Sequence, residues 1–150
     1  MFRTFASRIE IYLIMLYYIR KYPVSLLIIL TVIYLSFFKP PQTDMDSIPG
    51  IDKVVHVCMY FGMSGMLWLE FMLAHKKARV PVWHAWLGAW LCPVLFSGAV
   101  ELLQAYCTTY RGGDWWDFAA NTAGATLASL IGWYWMKRRI SVHGRHGRNG

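Results

Sequence analysis

Four long apolar runs, each bounded by charge, constrain this chain more than any other feature. They cover Pro23–Phe38, Val54–Leu73, Val82–Tyr106 and Trp116–Met136. Hydrophobic residues make up 57% of the 150 positions, more than a soluble domain of that size could bury in runs of such length. A helix that crosses a bilayer needs about 17–25 apolar residues. The first run reaches that length only by borrowing Tyr17–Ile19 upstream. The alternating pattern of a membrane barrel strand is absent, and lipid leaves no backbone polar group unpaired, so the runs read as helices.

The expected fold is therefore all-α: a polytopic membrane protein with a four-transmembrane-helix bundle over 23–138. Residues 1–22 carry Arg3, Arg8 and Glu10 among Ile, Leu and Tyr, which suits an amphipathic interfacial helix; a kinked extension of the first span past Pro23 is the alternative. Residues 139–150 read as a disordered basic tail. No small-residue cleavage site follows the first span, so a removed signal peptide is not expected.

Basic residues set the orientation. Arg3, Arg8, Arg20, Lys21, Lys76, Lys77, Arg79, Lys137, Arg138, Arg139, Arg145 and Arg148 fall on one side of the runs; Lys39, Lys53 and Arg111 fall on the other. The positive-inside rule then places both termini in the cytoplasm with an even number of spans. The same asymmetry accounts for the net charge of +7 through anionic inner-leaflet lipids, and no nucleic-acid partner is implied. Cys58, Cys92 and Cys107 show neither a disulfide framework nor close metal-ligand spacing, and no metal or cofactor is expected. Small residues recur every four positions at Ala120, Gly124, Ala128 and Gly132, a stripe that lets another helix approach closely. Pro93 frees a backbone carbonyl one turn earlier. Glu70, beside His75, Lys76 and Lys77, reads as a side chain that snorkels to the inner interface.

The outer ends of the runs are polar. An ionisable group within a span costs about 2.5–3.5 kcal/mol at mid-helix and so usually faces a protein interior or a wet cavity. Asp52, His56 and Tyr60 are spaced i, i+4, i+8 on one helix face. A neutral imidazole both donates and accepts, and its ordinary pKa of about 6.5 suits proton transfer. Glu101 and Gln104 share a face of the third span; burial raises and a nearby cation lowers the pKa of such a carboxyl. Arg111 carries a planar fork fit for carboxylate or phosphate. Asp114 and Asp117 are both placed to cap the fourth span, with Asp114 the better placed. Asn121 lies one turn beyond Asp117 on the same face.

The set Asp52-Lys53-x-x-His56-x-x-x-Tyr60, Glu101-x-x-Gln104, Arg111 to Asp114-x-x-Asp117 and Asn121-x-x-Gly124 resembles the VanZ family, as does Ser36 followed by Pro40. The likeness covers roughly residues 25–136. It implies a small multi-pass protein of the bacterial inner (cytoplasmic) membrane, with low-level resistance to the glycopeptide teicoplanin as the associated property. It supplies no reaction. Two functions fit the residues. In the first, Asp52, Lys53, Tyr60, Gln104, Arg111, Asp114 and Asn121 form an outward pocket that binds a membrane lipid, a lipid-linked envelope precursor or a lipoglycopeptide. In the second, Glu101, His56 and Asp117 act as catalytic groups of an intramembrane hydrolase or transferase. A flippase is disfavoured because the inner halves of the runs lack polar residues. An oligomer is compatible with either function.

Overall fold

The computed structural model describes residues 2–38, 48–75, 80–107 and 113–146. These residues form helices and no strand: α1 (Phe2–Lys21), α2 (Pro23–Phe37), α3 (Ile51–Ala74), α4 (Val82–Trp86), a π-helical turn (Leu87–Leu91), α5 (Cys92–Cys107) and α6 (Trp115–His146). Two stretches, Ile51–Ala74 and Val82–Cys107, are long and apolar enough to cross a membrane. A third joins them if Glu10–Lys21 and Pro23–Phe37 make one span across their 95° bend. Helix α6 is 32 residues long, but Asp117, Asn121 and the basic residues from Lys137 onward leave it less apolar than those stretches. It also continues to His146, into the stretch 139–150 read from sequence as a tail.

The distribution of side chains is that of a protein in lipid. Large apolar residues face outward along every helix, among them Leu27, Val54, Leu73, Leu95, Leu102 and Ile131. The interior instead holds Ser25, Ser36, His56, Ser64, Glu70, Ser97, Glu101, Gln104, Asp117, Asn121 and Ser129. In hydrocarbon the tails outside are as apolar as leucine, so small residues and hydrogen bonds hold helices together. This is a membrane protein.

Two prolines shape it. Pro23 stands at the first position of α2, and Tyr22 before it adopts φ −130°, ψ 48°, outside the helical region that a following proline disfavours. The chain turns there. The α2 N-terminus this creates has free N–H groups, and Glu70 satisfies them. Its carboxylate accepts from the Val24 and Ser25 amides at 2.9 and 3.2 Å and from Ser25 Oγ at 2.5 Å. Glu70 therefore does not snorkel, as the sequence suggested: it is 5% exposed and caps a neighbouring helix. Pro93 removes the donor to the Ala89 carbonyl, and the π turn lies directly before it. Ser64 Oγ on α3 donates to that carbonyl at 2.5 Å. Ser64 also meets Ser129 Oγ at 3.1 Å, and Trp68 Nε1 donates to Ser129 at 2.9 Å.

The small-residue stripe of α6 packs on α3. A Cβ on Gly124 would lie 2.2 Å from the Val57 carbonyl oxygen, and one on Gly132 would lie 2.6 Å from the Trp68 ring. Ala125 and Ala128 are buried between them. The two backbones thus meet at near-minimum separation, which fixes how α3 and α6 present their outer ends to one another.

Candidate functional site

The start of α3, the end of α5 and the start of α6 fall together. Asp52, Lys53 and His56 come from the first, Glu101 and Gln104 from the second, and Asp114, Asp117 and Asn121 from the third. Helix α6 begins with a side-chain cap: Asp114 Oδ1 accepts from the Trp116 amide at 2.9 Å, as its position in the sequence suggested. Asp117 is left to turn inward.

Lys53 Nζ is the described cation of the cluster. It donates to Asp114 Oδ2 at 2.8 Å, to Asp52 Oδ2 at 3.4 Å and, at closer range, to Asp117 Oδ1. The Lys53 hydrogen bond, with the Trp116 amide second, holds the Asp114 carboxyl below its ordinary pKa. His56 sits one turn deeper, 6% exposed. Its Nδ1 is 3.0 Å from Asn121 Oδ1, and Asn121 Nδ2 donates to Ser97 Oγ at 2.8 Å. Asn121 thus links the imidazole to Ser97 and holds the ring in place. The other ring nitrogen, Nε2, faces Asp117 Oδ2 at 3.4 Å and Asp52 Oδ1 at 3.6 Å.

Glu101 joins this group through backbone: its Oε2 accepts from the Asp114 amide at 3.0 Å. Gly113 is required beside it, since a Cβ there would lie 2.5 Å from the Glu101 carbonyl oxygen. Gln104 turns to a different task and donates to the Ser36 carbonyl at 2.8 Å, tying α5 to the end of α2. Tyr60 is 1% exposed and packs with Val32 and Met63. It forms the floor beneath His56, its hydroxyl beside Ser97 without a hydrogen bond of standard geometry among the described residues. Arg111 lies outside the described residues.

Sequence reasoning did not assign Ser97 to the site; its signal is weak because a serine in an apolar run usually bonds its own helix. An apolar cavity of about 540 Å³ lies at the opposite end, under the α1–α2 elbow, lined by Tyr22, Leu26, Phe71 and Ala85. Its Ser25 already serves Glu70, and His75 and His84 also line it.

A family model described as VanZ/LLP1 matches residues 2–137. The chain belongs to the VanZ/LLP1 family. The motif residues named above all fall inside the matched stretch. A relative in the fission yeast Schizosaccharomyces pombe, described as "Uncharacterized protein C11E3.10", is 30% identical over 124 residues, 81% of this chain and 69% of its own. No solved structure matches.

Proposed function

We propose that this VanZ-like membrane protein receives the headgroup of a membrane lipid in the polar cluster of Lys53, His56, Glu101, Asp117 and Asn121. The observation that supports this is the convergence of charged side chains from three helices at one end of an otherwise lipid-facing bundle. In this reading α2, α3, the α4–α5 helix and α6 are the four spans, and both termini lie on the cytoplasmic face. The cluster then opens to the outer leaflet. Helix α1, bent 95° from α2 with Ile11 to Ile19 exposed, lies along the inner leaflet.

Charge narrows the ligand. Asp52, Glu101, Asp114 and Asp117 outnumber Lys53 among the described residues, so a purely anionic group would be repelled. A zwitterionic phospholipid suits the site: its amine meets carboxylates and its phosphate meets Lys53. A relative in a fungus also favours a ligand that bacteria and fungi share over a lipoglycopeptide. Teicoplanin resistance, the property implied by the VanZ likeness, would then follow from altered envelope lipid in a bacterial inner membrane. Saturable binding of phosphatidylethanolamine to the purified protein in nanodiscs is expected, weakened at least tenfold by Lys53→Met. A wild-type protein that retains no lipid above the nanodisc background rejects this function.

The oriented imidazole favours a second reading, an intramembrane hydrolase or transferase acting on a lipid-linked precursor. His56, held by Asn121 and flanked by two carboxylates, is built as an acid–base group, with Glu101 alongside. Turnover of such a precursor should vanish in Glu101→Gln while membrane insertion persists; retained turnover excludes it.

A further inference from the structure

We propose that Asp52, His56 and Asp117 form a binding site for one divalent transition-metal ion of the zinc or manganese class. The inference rests on reading this end of the bundle as a working site, and it names the ion through which that site would hold a phosphate.

Three independent features of the cluster support it. The first is distance. One ligand atom from each residue lies within 4.8 Å of the other two. The His56 Nε2 separations are 3.4 Å to Asp117 Oδ2 and 3.6 Å to Asp52 Oδ1. Metal–ligand bonds of about 2.0–2.2 Å in tetrahedral array put ligand atoms about 3.3–3.6 Å apart, so both edges already have the required length. The remaining edge closes by rotation of Asp52, whose side chain is 55% exposed.

The second is the imidazole. Asn121 Oδ1 stands 3.0 Å from Nδ1, and the other ring nitrogen, Nε2, faces two carboxylate oxygens. Two carboxylate oxygens and an imidazole nitrogen facing one point form a donor set suited to a metal cation. Ligating histidines almost always donate their other ring N–H to an oxygen that fixes the tautomer, and Asn121 Oδ1, itself held by Ser97, occupies that position.

The third is how the carboxylates divide their oxygens. Asp117 gives Oδ1 to Lys53 and Oδ2 to His56; Asp52 gives Oδ2 to Lys53 and Oδ1 to His56. Lys53 therefore orients both carboxylates from behind and does not occupy the point they share with the imidazole. Asp52, Glu101, Asp114 and Asp117 outnumber Lys53 among the described residues, an excess of negative charge that a divalent ion lowers. One nitrogen and two oxygens select zinc or manganese over magnesium, which favours oxygen alone. Buried His56 and Asp117 form the base and exposed Asp52 the mouth, so the open coordination position faces the bulk, where a lipid phosphate oxygen or water would bind.

The test uses the full chain purified in detergent, stripped with a chelator and dialysed against Zn2+ or Mn2+. Changing His143 and His146 to Ala throughout removes the competing tail histidines. One equivalent of metal per chain is expected. His56→Ala and Asp52→Asn should each weaken binding at least tenfold, while the exposed His84→Ala leaves it unchanged. Asp52→Asn alters a solvent-facing side chain and keeps the comparison valid if His56→Ala fails to fold. No stoichiometric metal on the wild type, or metal that survives both changes, overturns the proposal. So does a 15N ring spectrum with both His56 nitrogens protonated at neutral pH in the presence of metal. Lipid binding that persists without any bound metal also overturns it and leaves the headgroup reading standing. Stoichiometric metal without lipid binding does the reverse.

Discussion

Asn121 holds the His56 ring at Nδ1, and Ser97 holds the Asn121 amide. A buried polar group that loses its partner costs about 1–3 kcal/mol. Asn121→Ala is expected to destabilise the protein by about that much, seen as a lower thermal midpoint in detergent, whereas Asn121→Ser should recover part of the loss. Asp114 has a different kind of dependence. Its pKa is depressed in the fold, first by Lys53 and then by the Trp116 amide. Its contribution is therefore complete above the ordinary aspartate pKa of about 3.9 and disappears as pH falls through the lower folded value. Thermal midpoints of wild type and Asp114→Asn should converge on acidification through that window; a constant gap would show that the Lys53 pairing does not stabilise the fold. Of these groups helical spacing put His56 on one face with Asp52 and Tyr60, put Asn121 on another with Asp117, and offered Asp114 as a cap. It could not mark Ser97, because nothing local tells a serine that bonds its own turn from one that reaches another helix.

Helices α3 and α5 pack on α6, and α2 packs on α3 and α5. Gly124 and Gly132 are close-approach points, and Gly124→Leu should separate α3 from α6 and abolish folded protein after extraction. Gly62→Ala is the contrasting case: nothing lies within 4 Å of a Cβ there, and alanine favours helix by about 0.8–1.0 kcal/mol. An unchanged or raised midpoint is expected. Pro93 and Ser64 form a coupled pair across two helices. Ser64→Ala should destabilise by about 1–3 kcal/mol, and by less in a Pro93→Ala background, where the restored amide can serve the Ala89 carbonyl. A double-mutant cycle measures that difference; strict additivity would uncouple them. The freed carbonyl was legible from Pro93. The donor that takes it lies 29 positions upstream on another helix, beyond any local pattern.

The molecule as a unit is inverted relative to a soluble bundle, apolar without and polar within. On the proposed reading of four crossings with both termini cytoplasmic, epitopes fused at the two ends should be protected together in sealed right-side-out vesicles and digested together when inside out. Opposite protection would require an odd number of spans. Apolar run lengths fixed the helical class and the membrane environment, because lipid admits no unpaired backbone. Positive charge on one set of loops fixed the expected orientation, and motif spacing identified the family. Tertiary packing settled the rest. Glu70 looked like an interfacial carboxylate from its basic neighbours, yet the elbow at Pro23 brings it the free amides of α2. Asp52 and His56 offer two ligands by spacing, and the third, Asp117, arrives only because Gly124 lets α6 lie against α3. Periodicity reports one helix at a time; which faces meet is decided by the contact between helices.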